Sequence, residues 1–158
     1  MDSGAERKPV PFLRSEFNEL FGQLSPDTHW MAYTSDESGQ REVYVRPFPA
    51  SDGQWKISIA GGQEPRSRGD GKELFFAGSD GKMMGVAVKA VAGDRPSFEA
   101  EAPQPLFEAH LTQSGRDVVF EYDVTADGKR FLLDTVGSGS ASTPVLTVVS
   151  NWDAGLKK

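Results

Sequence analysis

Few residues of this 158-residue chain have side chains suited to acid–base or nucleophilic chemistry. The two histidines, His29 and His110, are the only imidazoles that could activate a serine, as a Ser-His-Asp triad requires. His29 falls in a predicted turn and His110 precedes a predicted loop, so we expect a surface or structural role for both. Because the chain has no cysteine, a zinc site would need carboxylates beside these histidines. We therefore predict no metal or cofactor.

Three aspartates occupy the same place in a short phrase that occurs three times. Asp27, Asp70 and Asp127 each precede a strand of large apolar residues, at spacings of 43 and 57 residues. Aspartate in such a turn accepts hydrogen bonds from backbone N–H groups of its own turn. The pattern therefore predicts a structural role for these carboxylates rather than a shared catalytic one.

Polar side chains also recur on the strand that precedes each repeated aspartate. Positions four and six residues before the aspartate lie on the same side of a regular strand, because side chains alternate. These positions hold Gln23, Arg66 and Asp123 in one set and Phe21, Glu64 and Glu121 in the other. The five polar members predict a ligand-binding channel mouth where the three strands meet.

An alternative interpretation of this polar set is purely structural. Arg66 would then form an ion pair with Glu64, Glu121 or Asp123 that only holds neighbouring strands together. Under either interpretation we predict that at least one of these carboxylates holds Arg66.

Motifs of several function classes are absent from the sequence. There is no glycine-rich phosphate loop, no kinase catalytic motif and no Gly-x-Ser-x-Gly nucleophile elbow. We therefore predict that the chain alone has no kinase or peptidase activity. The net charge of −6 disfavours binding to nucleic acid. No run approaches the roughly 18 apolar residues of a membrane span, so we expect no membrane contact by this chain.

The elements that position these residues are predicted to be strands. Asp-Gly pairs between apolar runs favour tight hairpins, and alternating polar and apolar residues favour strands with one buried face. The predicted first strands are 20–24, 64–68 and 118–124, the second strands 30–34, 73–77 and 130–134, the third strands 42–46, 83–88 and 145–150, and the fourth strands 54–59 and 105–108. Residues 90–103 are predicted to be an insertion in the second repeat.

A repeat of forty-odd residues built from four strands indicates the blades of a β-propeller. We predict one all-β domain over residues 1–158, with four-stranded blades at 20–59, 63–108 and 118–151. The third blade lacks a fourth strand, and residues 10–13 are left over at the N-terminus. We predict that they are its closing strand, since the prolines at positions 9 and 11 suit an outer edge.

Residues 17–49, 61–75 and 122–152 resemble the TolB-type propeller repeat, whose core reads Ser-Pro-Asp-Gly-Lys before a strand. The sequence departs from this pattern at Thr28, His29 and Ser67. It looks most like the C-terminal blades of propellers fused to bacterial serine/threonine protein kinases. The resemblance implies a sensing or protein-interaction role and, if the kinase linkage holds, a periplasmic or extracytoplasmic location.

Two other functions fit the same residues. The chain would be the gating propeller of a prolyl-oligopeptidase-like hydrolase whose catalytic domain is absent here, or a structural scaffold without a ligand. The favoured prediction is a noncatalytic sensing or interaction module that binds a protein or a small anionic ligand.

The number of blades predicts self-association. Propellers have about four to eight blades, and an open chain of three would expose apolar faces on its first and third blades. We therefore predict a homodimer that forms six blades, with residues 10–13 of each copy completing the third blade of the other.

Overall fold

The structure is a computed structural model, and it describes residues 9–111, 119–136, 144–150 and 152. Within these residues the chain forms twelve β-strands in three antiparallel sheets. The prediction of an all-β chain is confirmed. No helix in the described part of the chain is long and apolar enough to cross a membrane.

The three sheets follow one another along the chain. The first contains β1 (Glu19–Leu24), β2 (Trp30–Ser35), β3 (Glu42–Pro47) and β4 (Trp55–Lys56). The second contains β5 (Gly62–Ser67), β6 (Glu73–Gly78), β7 (Lys82–Val91), β8 (Ser97–Ala100) and β9 (Gln104–Glu108). The third contains β10 (Tyr122–Val124), β11 (Arg130–Val136) and β12 (Pro144–Ser150). The predicted second and third strands lie close to these bounds, whereas β4 is shorter than predicted. The predicted strand 118–124 begins outside the described residues, and within residues 119–124 only Tyr122–Val124 forms a strand.

The second sheet is buried on both faces, which explains the unbroken apolar run at the centre of β6. Leu74 and Phe76 face the first sheet, and Phe75 between them faces the third. Strands buried on both sides lose the alternation of polar and apolar residues. The chain therefore has two cores, one on each side of the second sheet.

The two cores define two interfaces between sheets. The first interface joins the first and second sheets and buries Trp30, Ala32, Val43, Val45, Ile57, Leu74, Phe76, Val86 and Phe98. The second interface joins the second and third sheets and buries Phe75, Met83, Ala109, Tyr122, Phe131 and Leu133. Antiparallel sheets stacked face to face in chain order fit a β-propeller.

The predicted insertion at 90–103 is a β-arm. Strand β7 continues to Val91, and β8 folds back to pair with its last four residues. Phe98 on the arm packs edge-on against Trp30, with ring centroids 5.2 Å apart, and lies 6.1 Å from the ring of Trp55. The arm therefore extends the second sheet and holds it against the first.

Residues 10–13 form no strand in the single chain, contrary to the predicted strand there. Val10 is 84% exposed, and the ring of Phe12 lies 5.7 Å from Phe48, just after β3. The contact between Phe12 and Phe48 places the segment beside the first sheet. Its pairing with the third sheet of a second copy stays a prediction.

The outer faces of the first and third sheets differ. Tyr33 and Tyr44 stack on the outer side of the first sheet and are each 4% exposed. On the third sheet, Leu132, Leu146 and Val148 are 44%, 73% and 65% exposed. Among the described residues, β12 pairs only with β11 and is an edge strand. The expectation of an exposed apolar outer face is therefore confirmed for the third sheet and wrong for the first, whose outer tyrosines are buried.

Candidate binding sites

The first strands of the first two sheets share a bulge that redirects their side chains. The register shifts between Leu20 and Gln23 in β1 and between Gln63 and Arg66 in β5. Phe21 and Glu64, at corresponding positions, adopt positive φ angles of 55° and 59° there. A bulge interrupts alternation, so the prediction that the two sets share one regular strand face was wrong.

Arg66 lies where the first strands of all three sheets meet. Its Nη1 donates to the side-chain oxygen of Gln23 in the first sheet, and its Nε lies 3.7 Å from Oδ1 of Asp123 in the third. The guanidinium carbon stands 3.7 Å from the centroid of the Phe120 ring. The prediction that a carboxylate holds Arg66 is confirmed, because Asp123 is that partner.

The aromatic part of this cluster was missed by sequence reasoning. The Phe21 ring packs edge-on against Phe120 at 5.1 Å, and Phe120 carries Arg66 on its face. A cation held over an aromatic ring is stabilised by the ring quadrupole. The Arg66 side chain is 20% exposed and its Nε is buried without a hydrogen bond to any described residue. The cluster therefore joins three strands and retains an unsatisfied guanidinium N–H.

Glu64 and Glu121 lie inside the protein rather than at a channel mouth. Glu64 is 1% exposed and Glu121 is 6% exposed. The backbone N–H of Glu64 donates to Thr34 Oγ1 at 3.2 Å, its carboxylate accepts the N–H of Glu121 at 2.7 Å, and its carbonyl accepts the Tyr122 hydroxyl at 2.6 Å. Glu64 thus connects all three sheets. Burial raises its pKa to about 7, although the hydrogen bond from Glu121 opposes the shift.

The repeated aspartates play the structural role predicted for them. Each accepts a hydrogen bond from the backbone N–H two residues later. The pairs are Asp27 with His29 at 3.2 Å, Asp70 with Lys72 at 3.1 Å and Asp127 with Lys129 at 3.0 Å. The prediction of a turn-forming role is confirmed.

The second turn differs from the other two because an arginine side chain binds its aspartate. In the first and third turns, the hydroxyls of Ser25 and Thr125 each donate to the aspartate at 2.5 Å. In the second turn, Arg68 donates to both oxygens of Asp70, at 2.8 and 3.0 Å, and to Glu73 at 2.7 Å. The hydrogen bonds from Arg68 lower the pKa of Asp70 to about 2. Arg68 therefore neutralises the negative charge of Asp70 by forming an ion pair with it.

The two histidines lie at the surface. His29 Nδ1 is 3.5 Å from Asp27 Oδ2, and the imidazole is 57% exposed. His110 is exposed and adopts a φ of 45°. In the described ranges, no three histidine, aspartate or glutamate side chains are grouped so that they could hold a metal ion.

The second interface is clamped at the end where the repeated turns lie. The N–H of Gly69 in the second turn donates to the carbonyl of Ala126 in the third turn at 2.8 Å. The indole N–H of Trp152 donates to the carbonyl of Gly128, also at 2.8 Å. A Cβ at Gly69 would stand 2.8 Å from the Ala126 oxygen, so only glycine fits this approach. These contacts close the end of the second interface.

The first interface is open at the same end. Pro26 stands where the second turn has Gly69, and proline has no N–H to donate to the next turn. A cavity of about 710 Å³ lies here, between residues 25–27 of the first turn and 69–72 of the second. We call it the first-interface cavity. Sequence reasoning missed it, although Pro26 and the insertion at 90–103 were its signals.

No protein-family model and no curated protein matches the chain. Among solved structures, the crystal structure of TolB from Acinetobacter baumannii is similar to it with a TM-score of 0.41 at 18% sequence identity. The similarity covers 88% of this chain and 42% of that chain, so this chain spans less than half of that protein's length.

Proposed function

We propose that this chain is a noncatalytic propeller module whose function is to bind other proteins. The observation that carries the proposal is the third sheet, where Leu132, Leu146 and Val148 form an exposed apolar stripe. The stripe runs along β12, which is an edge strand within the described residues. Exposed apolar patches and unpaired strand edges are surfaces that bind other chains.

The partner we propose for this surface is a second copy of the chain. Two copies supply six sheets, within the range of known propellers. Residues 10–13 of the second copy would pair with β12. In an extended strand, alternate residues bond to the same neighbour, so Val10 and Phe12 offer N–H groups to β12 while Pro9 and Pro11 face away. The prolines leave a far edge that cannot recruit a further strand.

Deletion of residues 1–14 tests this pairing. The truncated chain should sediment as a folded monomer at micromolar concentration, where the full chain sediments as a dimer. Circular dichroism checks that the truncated chain keeps its strands. An intact dimer after the deletion would reject the exchange of N-terminal segments while leaving the dimer itself in place.

A small anionic ligand at Arg66 is a second candidate function, favoured by its unsatisfied Nε. Gln23 accepts a hydrogen bond from the guanidinium, and the ligand would replace Asp123 as the anionic partner of Arg66. Arg66→Ala should then weaken binding of inorganic phosphate, measured by calorimetry, more than it lowers the free energy of unfolding. Equal phosphate binding by the wild-type chain and the Arg66→Ala variant would reject the ligand site and leave Arg66 a structural role only.

We also propose that the module comes from an extracytoplasmic propeller linked to a serine/threonine kinase. The support is the repeat at residues 17–49, 61–75 and 122–152. The coding sequence upstream of Met1 tests this linkage, since it should encode a membrane helix and a kinase domain. An upstream peptidase domain would favour the hydrolase-gating alternative.

The noncatalytic assignment has a test of its own. The purified chain should hydrolyse neither ATP nor peptide esters. Hydrolysis of either substrate that a point mutation in this chain abolishes would contradict the assignment.

A further inference from the structure

We propose that the first-interface cavity binds a small monocarboxylate with an apolar body. The carboxylate would lie at the mouth, between the first and second turns, and the apolar body would extend toward the first core. This site is separate from the third-sheet surface and does not depend on dimer formation.

The floor of the cavity is apolar and aromatic. Trp30, Leu74 and Phe98 line it and belong to the buried core of the first interface. Side chains of this kind favour ligands that bring apolar surface out of water. The floor therefore selects a ligand with an apolar or aromatic body.

One wall exists only because of the β-arm. Val88, Lys89, Ala90 and Phe98 all lie on this hairpin and all line the cavity. Neither the first sheet nor the described part of the third has a comparable arm. The β-arm thus forms a wall of the cavity at the place where Pro26 cannot donate a hydrogen bond to the second turn.

The charges at the mouth select the head group of the ligand. Asp70 is paired with Arg68, whereas Asp27 keeps its negative charge and accepts hydrogen bonds from the Ser25 hydroxyl and the His29 N–H. Lys89 lies 4.0 Å from Glu99.

The remaining charged group is the ammonium of Lys72. Lys72 is one of the residues that line the cavity, and its ammonium interacts electrostatically with Asp70 but forms no hydrogen bond or ion pair with any described residue. A ligand carboxylate would accept a hydrogen bond from this ammonium, and hydrogen bonds between charged groups are stronger than those between neutral ones.

Calorimetry with two probes of matched shape tests the head group. The probes are 4-phenylbutanoate and its neutral analogue 4-phenylbutanamide. The wild-type chain should bind the acid more tightly than the amide. Lys72→Gln should weaken binding of the acid by about fivefold, as expected for one partly exposed ion pair, and leave the amide unchanged.

The third turn supplies the matched control for Lys72. Lys129 occupies the same position, and its N–H bonds Asp127 as that of Lys72 bonds Asp70. Lys129→Gln should change neither probe's affinity. Equal weakening by both substitutions, or no binding of the acid to the wild-type chain at millimolar concentration, would overturn the proposal.

A second pair of variants tests the position of the apolar body. Ala90 lines the cavity, whereas Ala87 on the same strand is exposed and does not. Ala90→Leu should abolish binding of both probes, and Ala87→Leu should leave it intact. Thermal melts of all variants establish that they are folded. Full binding by a folded Ala90→Leu protein would place the ligand elsewhere and overturn the proposal.

Discussion

The two interfaces between sheets begin from the same repeat and end differently. At the second interface, the turns are joined by the Gly69–Ala126 hydrogen bond and closed by Trp152. At the first interface, Pro26 cannot make the equivalent bond, and a cavity of about 710 Å³ remains. The difference teaches that loss of one backbone donor, together with one inserted hairpin, can turn a structural contact into a candidate binding site.

The indole groups of the two interfaces show the same contrast. Trp152 donates its N–H to Gly128 at 2.8 Å. The N–H of Trp30 is buried without a hydrogen-bond partner in the described part of the chain. A buried donor without an acceptor costs stability, so the first interface is the less completely satisfied of the two.

The largest expected effect comes from the centre of the second interface. Phe131 is fully buried and packs edge-on against Phe75 at 5.1 Å and Phe107 at 5.2 Å. Phe131→Ala should lower the free energy of unfolding by about 3–5 kcal/mol, measured by urea denaturation. Phe98→Ala, at the edge of the first interface, should cost less because the cavity already lies beside it. An equal or larger loss for Phe98→Ala would break the comparison.

The next effect is a pH dependence that originates at Glu64. The pKa of this carboxyl is about 7 in the folded chain and 4.5 ordinarily, so between these values the folded state binds a proton that the unfolded state lacks. Stability should therefore fall as pH rises from about 4.5 to 7, by up to about 3 kcal/mol. Glu121, Arg66 and Arg41 are the charged groups that act on it.

Glu64→Gln isolates this dependence, because glutamine keeps an oxygen that can accept the N–H of Glu121 but cannot titrate. Urea denaturation at pH 5 and pH 8 should show a clear difference for the wild-type chain and a much smaller one for the variant. An unchanged difference in the variant would assign the pH dependence to other groups.

The smallest expected effect compares the two indoles directly. Trp152→Phe should cost about 1 kcal/mol more than the loss of ring volume alone, since Gly128 loses its hydrogen-bond donor. Trp30→Phe removes an N–H that has no partner and should carry no such additional cost. Both free energies of unfolding follow from urea titration, and a larger hydrogen-bond cost at Trp30 would contradict the assignment of the two donors.

Local patterns predicted much of the fold. Alternation located the strand that contains Val43 and Val45, although its expected polar face is buried too. The aspartate turns at Asp27, Asp70 and Asp127 followed from their backbone-bonding chemistry. The ion pair of Arg66 with Asp123 also followed from their matching positions in the repeat. These features depend on short stretches of chain.

Features that depend on how the sheets pack were not predicted. The bulge at Glu64 arises from pairing with β6 and turns that carboxylate inward, away from the expected channel mouth. The arm that carries Phe98 takes its position from Trp30 and Trp55, more than forty residues away. Alternation within one strand contains no information on either contact.

Sedimentation equilibrium of three proteins tests the proposed interaction surface most directly. The wild-type chain should be a dimer at micromolar concentration. Leu146→Asp places a charge in the apolar stripe of the third sheet and should yield a folded monomer. Ile59 is 69% exposed and Leu146 is 73% exposed, so Ile59→Asp is a matched control. The Ile59→Asp protein should remain a dimer. A stable wild-type monomer, or a dimer that survives Leu146→Asp, would contradict the assignment of the third sheet as the binding surface.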